Sequence, residues 1–195
     1  MQQEYEQRKV WDPLIRIWHW LLVLTVVTGW WLGENRDFAT INYHMYLGYT
    51  TGALLLIRII WGFVGPEPVR FRALVVTPRS LVTYAGGMFH RAPSGVAGHN
   101  PVGALSVIAI LLALAVQVIT GLFSEDDGLF TEGPLAGMVS SGTRATLGSI
   151  HHITSEVILV LVGLHVSAIV FYWIWKRENL VKPMFTGWKT VRKDR

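Results

Sequence analysis

Hydrophobic side chains dominate four long stretches of this chain, and polar connections separate them. About 20 predominantly apolar residues form a helix that crosses a hydrocarbon core of about 30 Å. The pattern therefore predicts four membrane-spanning helices, at residues 14–32, 43–64, 101–123 and 149–175. The predicted fold class is an all-α integral membrane protein, a four-transmembrane-helix bundle formed by a single domain over residues 1–195.

Polar segments connect these stretches. Residues 65–100 are rich in proline and arginine, and a short interfacial helix is expected near residues 80–89. Residues 124–148 are rich in glycine, serine and acidic residues. The polar N-terminus lacks the basic start and short apolar core of a signal peptide, so no cleavable targeting sequence is expected.

Composition strengthens the membrane interpretation, since 51% of the 195 residues are hydrophobic and only 15% are charged. Soluble domains carry about 25% charged residues. The chain has no cysteine, which excludes disulfides, cysteine-ligated zinc, iron–sulfur clusters and covalent haem attachment. Any haem bound here is therefore b-type, held by axial ligands and packing.

The positive charges are distributed asymmetrically about the four predicted spans. Fifteen of the 17 Lys and Arg residues fall on the side that holds both termini, and only Arg36 and Arg144 fall on the other. The positive-inside rule then predicts cytoplasmic termini, and no nucleic-acid partner is needed to explain the basic excess. The outer side carries the acidic residues Glu34, Asp37, Glu125, Asp126, Asp127 and Glu132.

Histidines in the apolar stretches are the candidate chemical groups. His151 and His165 are fourteen residues apart, so on one helix they share a face to within about 40° and lie about 21 Å apart. That distance is too long for one metal ion and suits two cofactors at different depths. Two other predicted spans carry His19 and His44, and buried ionisable groups in membranes are usually functional.

The predicted topology pairs these histidines by depth. His44 and His151 fall at the outer level, and His19 and His165 fall in the inner half. We expect two b-type haems, each with two axial histidines, because a bare metal ion would need three or four ligands at one point. His152 competes with His151 as the outer ligand, although it lies about 140° from His165 around the helix.

Glycines and arginines near the histidines fit this hypothesis. Gly48 and Gly52 follow His44 by four and eight residues, where small side chains admit either a flat macrocycle or a neighbouring helix. Arg16 precedes His19 by three residues, and Arg58 follows His44 by fourteen. Either arginine is a candidate partner for the inner haem's propionates or a snorkelling anchor at the membrane edge.

Several motifs together resemble the bacterial cytochrome b561 family, which groups with the b-type subunits of nickel–iron hydrogenases. They are Arg16-Ile17-Trp18-His19-Trp20, His44-Met45-Tyr46-Leu47-Gly48, Arg58-Ile59-Ile60-Trp61-Gly62 and the pair His151 and His165. The resemblance covers about residues 9–187. It implies four membrane helices, two b haems on these four histidines, and electron exchange with quinone. The segment 124–148 looks like the subgroup often encoded with small c-type cytochromes.

A bis-histidine iron has no open coordination position, so outer-sphere electron transfer is the expected chemistry. We expect a multi-pass cytochrome of the bacterial inner membrane that links ubiquinone or menaquinone to a periplasmic redox partner, preferably a c-type cytochrome. The alternatives are a superoxide oxidase and a b-type membrane anchor of a hydrogenase or another dehydrogenase. Solute transport, with Glu156 as its intramembrane carboxylate, is the least favoured hypothesis.

Overall fold

The computed structural model describes residues 5–126 and 131–193, with only the backbone of Asp126. The described part is mostly helical. Its helices are α1 (Pro13–Glu34), α2 (Ile41–Val64), α3 (Pro78–Gly87), α4 (Pro101–Phe123), α5 (Ser141–Ile174) and α6 (Lys182–Thr186). Its strands are β1 (Tyr5–Lys9), β2 (Glu125–Asp126), β3 (Thr131–Glu132) and β4 (Trp188–Arg192). Short 3-10 turns cover Glu67–Val69, Phe71–Leu74 and Ala136–Met138.

Four of these helices, α1, α2, α4 and α5, are long and apolar enough to cross a membrane, which confirms the four predicted spans. The largest boundary difference is in α5, which begins at Ser141 instead of near residue 149. The added turns are polar, so the hydropathy pattern does not detect them. The helix starts there because the Ser140 hydroxyl caps it, accepting a hydrogen bond from the Thr143 amide at 3.3 Å. At 34 residues, α5 is about 51 Å long and extends beyond a hydrocarbon core.

Local capping chemistry sets where the other helices start. The Asp12 carboxylate accepts the Leu14 amide at 2.9 Å at the start of α1, and Pro13 occupies the first helical position. Asn100 Oδ1 accepts the Gly103 amide at 2.9 Å at the start of α4. Thr77 and Ser80 form a reciprocal capping box at α3, the interfacial helix expected near residues 80–89.

The described chain forms two compact units. The first, called here the terminal unit, comprises Met1–Trp18, Arg58–Ala109 and Val162–Arg195. The second, called the histidine unit, comprises His19–Ile57 and Ile110–Leu161.

The terminal unit contains a sheet that the hydropathy pattern did not reveal. Strands β1 and β4 pair antiparallel, with Tyr5 opposite Arg192 and Lys9 opposite Trp188. Gln7 Nε2 donates to Thr190 Oγ1 at 2.7 Å across the sheet. The first and last described strands are therefore joined on the same side of the protein, as an even number of membrane crossings between them requires.

A buried ion pair stabilises the segment beside this sheet. Lys189 Nζ lies 2.9 Å from Glu178 Oε1, and the two side chains are 10% and 9% exposed. The backbone amide and the hydroxyl of Ser94 donate to the same carboxylate at 2.7 and 2.9 Å. Burial raises the pKa of Glu178, but Lys189 and the Ser94 hydrogen bonds outweigh burial and hold that pKa below its ordinary value of 4.5.

The histidine unit includes the connection between α4 and α5. Strands β2 and β3 pair antiparallel, and Arg144 forms ion pairs with Glu125 and Glu132, both at 2.9 Å. Along the spans of both units many large apolar side chains are exposed, such as Leu24 and Ile174, as expected of surfaces that face lipid.

Candidate functional site

His44 lies in the first turns of α2 and contacts the backbone of α1. Its Nδ1 atom lies 2.8 Å from the carbonyl oxygen of Gly29. Because a carbonyl only accepts, Nδ1 carries the proton and donates, which leaves the Nε2 lone pair available for a metal. A Cβ at Gly33 would lie 3.1 Å from His44 Cε1, so a glycine at this position lets the ring approach α1 closely.

His151 is held in the same way by α4, the span without a histidine. Its Nδ1 atom donates to the backbone oxygen of Gln117 at 2.9 Å, and Thr120 Oγ1 lies 3.3 Å from the same nitrogen. A Cβ at Gly121 would lie 2.8 Å from His151 Cε1, so only glycine fits beside the ring without a shift. Backbone carbonyl partners of this kind fix the tautomer and orientation of ligating histidines.

The two imidazoles face each other inside the histidine unit. Their ring centroids are 6.1 Å apart and their planes are inclined by 80°. A metal–imidazole bond is about 2 Å long, so rings that ligate one metal from opposite sides have centroids about 6 Å apart. The separation therefore fits two axial ligands of one iron. His152, the competing candidate, is exposed on the surface of α5.

Gln117 also contacts the second nitrogen of His151. Its side-chain Nε2 lies 3.0 Å from His151 Nε2 and donates to it, while its Oε1 atom is buried without a partner in the described part of the chain. Iron ligation by His151 therefore requires this carboxamide to rotate. Sequence patterns did not single out Gln117, Thr120 or Gly33. Gln117 carried a usable signal, because it is the only amide side chain within the apolar α4 span.

The predicted inner histidines fall in different units. His19 belongs to the histidine unit, where its ring centroid lies 5.2 Å from that of Trp20. His165 belongs to the terminal unit and is partly buried on α5. Their pairing at a second haem stays a prediction.

Arg58 is a buried cation of the terminal unit. Its side chain is only 4% exposed, and Nη2 donates to the Val69 carbonyl at 3.0 Å. The guanidinium carbon lies 4.8 Å from the Phe71 ring centroid and 6.0 Å from that of Trp18. Nη1 has no hydrogen-bond partner among the described residues. A buried, incompletely bonded guanidinium fits the propionate role expected of it.

Arg16 has a different environment. Its Nη1 donates to the Phe185 carbonyl of α6, and Gly187, whose φ is +84°, lies against the guanidinium. Its Nε is buried without a partner among the residues that the structure describes. Arg16 thus contacts the C-terminal segment through Nη1, and its Nε can donate to a further acceptor.

The two glycines on the His44 face have different neighbours. A Cβ at Gly48 would have no atom within 4 Å among the neighbouring described residues, whereas a Cβ at Gly52 would lie 3.2 Å from Val118 Cγ1. Gly52 therefore serves close helix contact, whereas Gly48 faces open space.

Other polar residues of the spans form no metal centre. Among the residues 5–126 and 131–193, no group of three His, Cys, Asp or Glu side chains could hold a metal ion. Glu156, the candidate carboxylate for transport, is exposed on α5. Of the predicted outer acidic residues, Asp127 lies outside the described residues, and so does the side chain of Asp126.

Four membrane-spanning helices with a facing imidazole pair are the arrangement expected of a membrane cytochrome that binds b-type haem. Comparison with known families narrows it: the sequence model of the family described as "Prokaryotic cytochrome b561" matches residues 10–187. The chain belongs to that family, whose members are membrane helical bundles, and the family implies haem b and electron transport. The expected family resemblance and the all-α membrane fold class are confirmed.

The curated relatives carry a consistent name. The chain is 27% identical to a "Probable Ni/Fe-hydrogenase B-type cytochrome subunit" of Azotobacter vinelandii, with 95% of this chain and 90% of the relative covered. It is 25% identical to the protein of that name from Rhodobacter capsulatus, with 95% and 82% covered. A "Probable Ni/Fe-hydrogenase 1 B-type cytochrome subunit" of Escherichia coli strain K12 is 26% identical, with 93% and 90% covered. No solved structure matches the chain significantly.

Proposed function

We propose that this chain is a two-haem b-type cytochrome that transfers electrons between the quinone pool and a redox enzyme at the outer face of the bacterial inner membrane. The observation that carries the proposal is the facing pair His44 and His151, each with Nδ1 donating to a helix carbonyl. A bound bis-histidine haem supplies one-electron transfer without an open position for substrate.

The surrounding residues hold the ligands and exclude water. Gly29 and Gln117 fix the tautomer and the orientation of the two imidazoles through backbone oxygens inside the apolar spans. The open space beside Gly48 leaves room for a macrocycle on the His44 face of α2.

The second haem is proposed on His19 and His165. Arg58 is the leading candidate to bind a propionate of this haem, because its guanidinium is buried and Nη1 lacks a partner in the described chain. Arg16 is the second candidate, with a buried Nε of the same kind.

The proposed orientation places both termini in the cytoplasm. Fifteen of the 17 Lys and Arg residues lie on the side of the termini, and the β1–β4 pairing requires both chain ends on one side. The His44 level then faces the periplasm.

The proposed electron donor is a nickel–iron hydrogenase, since the curated relatives are named as its probable B-type cytochrome subunits. In this role the chain anchors the hydrogenase at the membrane and passes its electrons to ubiquinone or menaquinone. The superoxide-oxidase alternative loses support, because Glu125 and Glu132 neutralise Arg144, one of two arginines available for a basic funnel.

A c-type cytochrome is the second candidate partner, favoured by the acidic segment between α4 and α5. Opposite charge steers a basic partner to such a surface, with strong dependence on salt. In that case Asp126→Asn with Asp127→Asn slows partner reduction at low salt, and an unchanged rate counts against this partner.

The deciding experiment adds hydrogen to membranes that contain the chain and its co-expressed hydrogenase, and records the α-band of haem b. We expect rapid reduction by hydrogen and reoxidation by a soluble quinone analogue. A control strain with His152→Ala should behave as wild type, and one with His151→Ala should not. Reduction by dithionite alone, with no response to hydrogen in the wild type, would rule out the hydrogenase as donor.

A further inference from the structure

A cleft opens in the terminal unit where α2 ends. It has a volume of about 250 Å³, and we call it the arginine cleft; it is lined by Gly62, Phe63, Arg70, Phe71 and Arg72. Because α2 is a membrane-spanning helix, its last turn marks the level where hydrocarbon gives way to headgroups. The cleft therefore lies where a ligand with one apolar and one polar end is available.

The aromatic wall of the cleft forms because the chain after α2 folds back against the last turn of that helix. Phe71 lies so near Gly62 that a Cβ at this glycine would collide with the ring. Phe63 and Phe71 then meet edge to face, with ring centroids 5.3 Å apart at 73°. The result is an apolar wall that ends at two guanidinium groups.

The charges around the cleft are mainly positive. Arg70 Nε donates to the Gly65 carbonyl at 2.6 Å, which fixes this guanidinium at the end of α2. Arg72 lies 3.6 Å from Glu67, and both side chains are about 80% exposed, so this ion pair is weak and can be exchanged for another anion. Arg58 lies under the ring of Phe71 at 4.8 Å and adds a third positive charge.

An exposed apolar stripe on α2 leads to the cleft from the membrane side. Ile59, Ile60, Phe63 and Val64 are 49%, 61%, 69% and 64% exposed, and their helical spacing makes the stripe continuous. An acyl chain lying on this stripe would reach the arginines at its polar end.

We propose that the arginine cleft binds an anionic phospholipid. Arg70 and Arg72 bind its phosphate through charge-assisted hydrogen bonds, and an acyl chain lies along Phe63 and the isoleucine stripe. Basic pockets at the cytoplasmic ends of membrane helices bind anionic headgroups in this way. The volume is below the roughly 300–1,000 Å³ of a site that encloses a whole small molecule, which favours a headgroup over an enclosed cofactor.

Native mass spectrometry of the purified holoprotein tests the proposal with phosphatidylglycerol and phosphatidylcholine as probes. We expect retained phosphatidylglycerol, weak retention of phosphatidylcholine, and a loss of at least about tenfold in phosphatidylglycerol affinity in Arg70→Gln/Arg72→Gln. Arg79→Gln, an exposed arginine of α3 outside the cleft, carries the same single charge change as Arg72→Gln and should retain the lipid.

Two further variants keep the test decisive if the double variant does not fold. Arg72→Gln alone should weaken binding and leave the fold intact, because this side chain is highly exposed and its ion pair with Glu67 is weak. Glu67→Gln should strengthen binding several-fold by removing the competing carboxylate. The haem spectrum and the elution volume report folding in each case.

Three results would each overturn the proposal. The first is equal phosphatidylglycerol retention by wild type, Arg72→Gln and Arg79→Gln. The second is equal retention of phosphatidylcholine, which would show a site without preference for anions. The third is displacement of the lipid by millimolar inorganic phosphate, which would identify a free-anion site. Lipid retention is read independently of the haem ligands and of the electron-transfer partner, so the function proposed above can fail while this proposal stands.

Discussion

The partly buried imidazole pair of the histidine unit and the buried ion pair of the terminal unit accommodate polar side chains in two different ways. His44 and His151 donate to helix carbonyls and have no charged partner within the contacts described. Glu178 and Lys189 are charged, and each neutralises the other at 2.9 Å. A neutral imidazole is inexpensive to place between apolar helices, whereas a buried ion is tolerated only with its counterion.

This difference separates a group kept for its chemistry from a group kept for folding. His44 retains a nitrogen that its carbonyl partner does not use, and the second nitrogen of His151 is bonded only to the Gln117 side chain, which can rotate away. The Glu178 carboxylate has its acceptor capacity taken by Lys189 and Ser94. We therefore expect substitutions in the first set to change the cofactor and those in the second to change stability.

Removing an imidazole tests the comparison with the largest expected effect. His44→Ala or His151→Ala should remove one of two proposed haems completely, since a six-coordinate site loses an axial ligand. The haem-to-protein ratio from the pyridine haemochrome spectrum measures this. His152→Ala is the matched control and should bind haem as wild type does. Haem loss in His152→Ala with retention in His151→Ala would reverse the ligand assignment.

Breaking the ion pair should instead destabilise the fold. Glu178→Gln leaves Lys189 buried without its counterion, which costs about 3 kcal/mol of unfolding free energy in comparable pairs. Thermal unfolding in detergent measures the loss, and the haem content of the folded fraction should be unchanged. The double variant Glu178→Met/Lys189→Met is the control and should recover most of the stability.

The same pair predicts a pH dependence. Because the folded pKa of Glu178 lies below its ordinary value of 4.5, its ionised form stabilises the fold above that value. This contribution should disappear as the pH falls through the lowered folded pKa. Unfolding curves between about pH 7 and pH 3 should therefore differ between wild type and the double methionine variant only at the acidic end. Parallel curves throughout would show that the carboxylate is not linked to folding.

Substitutions at Gly48 and Gly52 of α2 test the comparison within the histidine unit. A Cβ at position 48 has no atom within 4 Å among the neighbouring described residues, so the effect of Gly48→Leu should fall mainly on haem retention, at about tenfold. Gly52→Leu meets Val118 and should destabilise the protein whether or not haem is bound. Haem titration and thermal unfolding together distinguish the two. Normal haem retention in Gly48→Leu would place the macrocycle elsewhere.

The smallest effect is expected at the partly exposed ion pairs of Arg144 in the histidine unit. Arg144→Gln removes contacts with Glu125 and Glu132, and such partly exposed pairs contribute about 1 kcal/mol or less. The variant should melt within a few degrees of wild type, with the difference diminished in high salt. If Arg144→Gln destabilised the protein as much as Glu178→Gln, side-chain exposure would not explain the difference in strength between these two sets of ion pairs.

The spans could be predicted from sequence because hydropathy is a local property, and lipid tolerates large apolar side chains on the outside. The polar first turns of α5 and the pairing of β1 with β4 could not, because they depend on capping geometry and on contacts between distant residues. Spacing placed Gly48 and Gly52 on one helix face, but only the position of α4 distinguishes their neighbours.

The candidate site could be predicted from the sequence to a similar extent. Hydropathy and spacing singled out His19, His44, His151 and His165, and their roles as ligands stay predictions. The contact between Gln117 and His151 could not be derived, since it joins residues 34 positions apart on two helices. A lone amide in an apolar span was the signal that could have indicated it.

Pairing of the first strand with the last also sets the order of events during biosynthesis. Gln7 bonds to Thr190, a partner synthesised 183 residues later. At roughly 5–20 residues per second, the first strand waits about 10–40 s for its neighbour. All four spans leave the ribosome before β4 does, so they insert into the membrane before β1 and β4 pair. The N-terminal strand stays an open edge during this interval, within reach of any nascent chain or chaperone that recognises unpaired backbone.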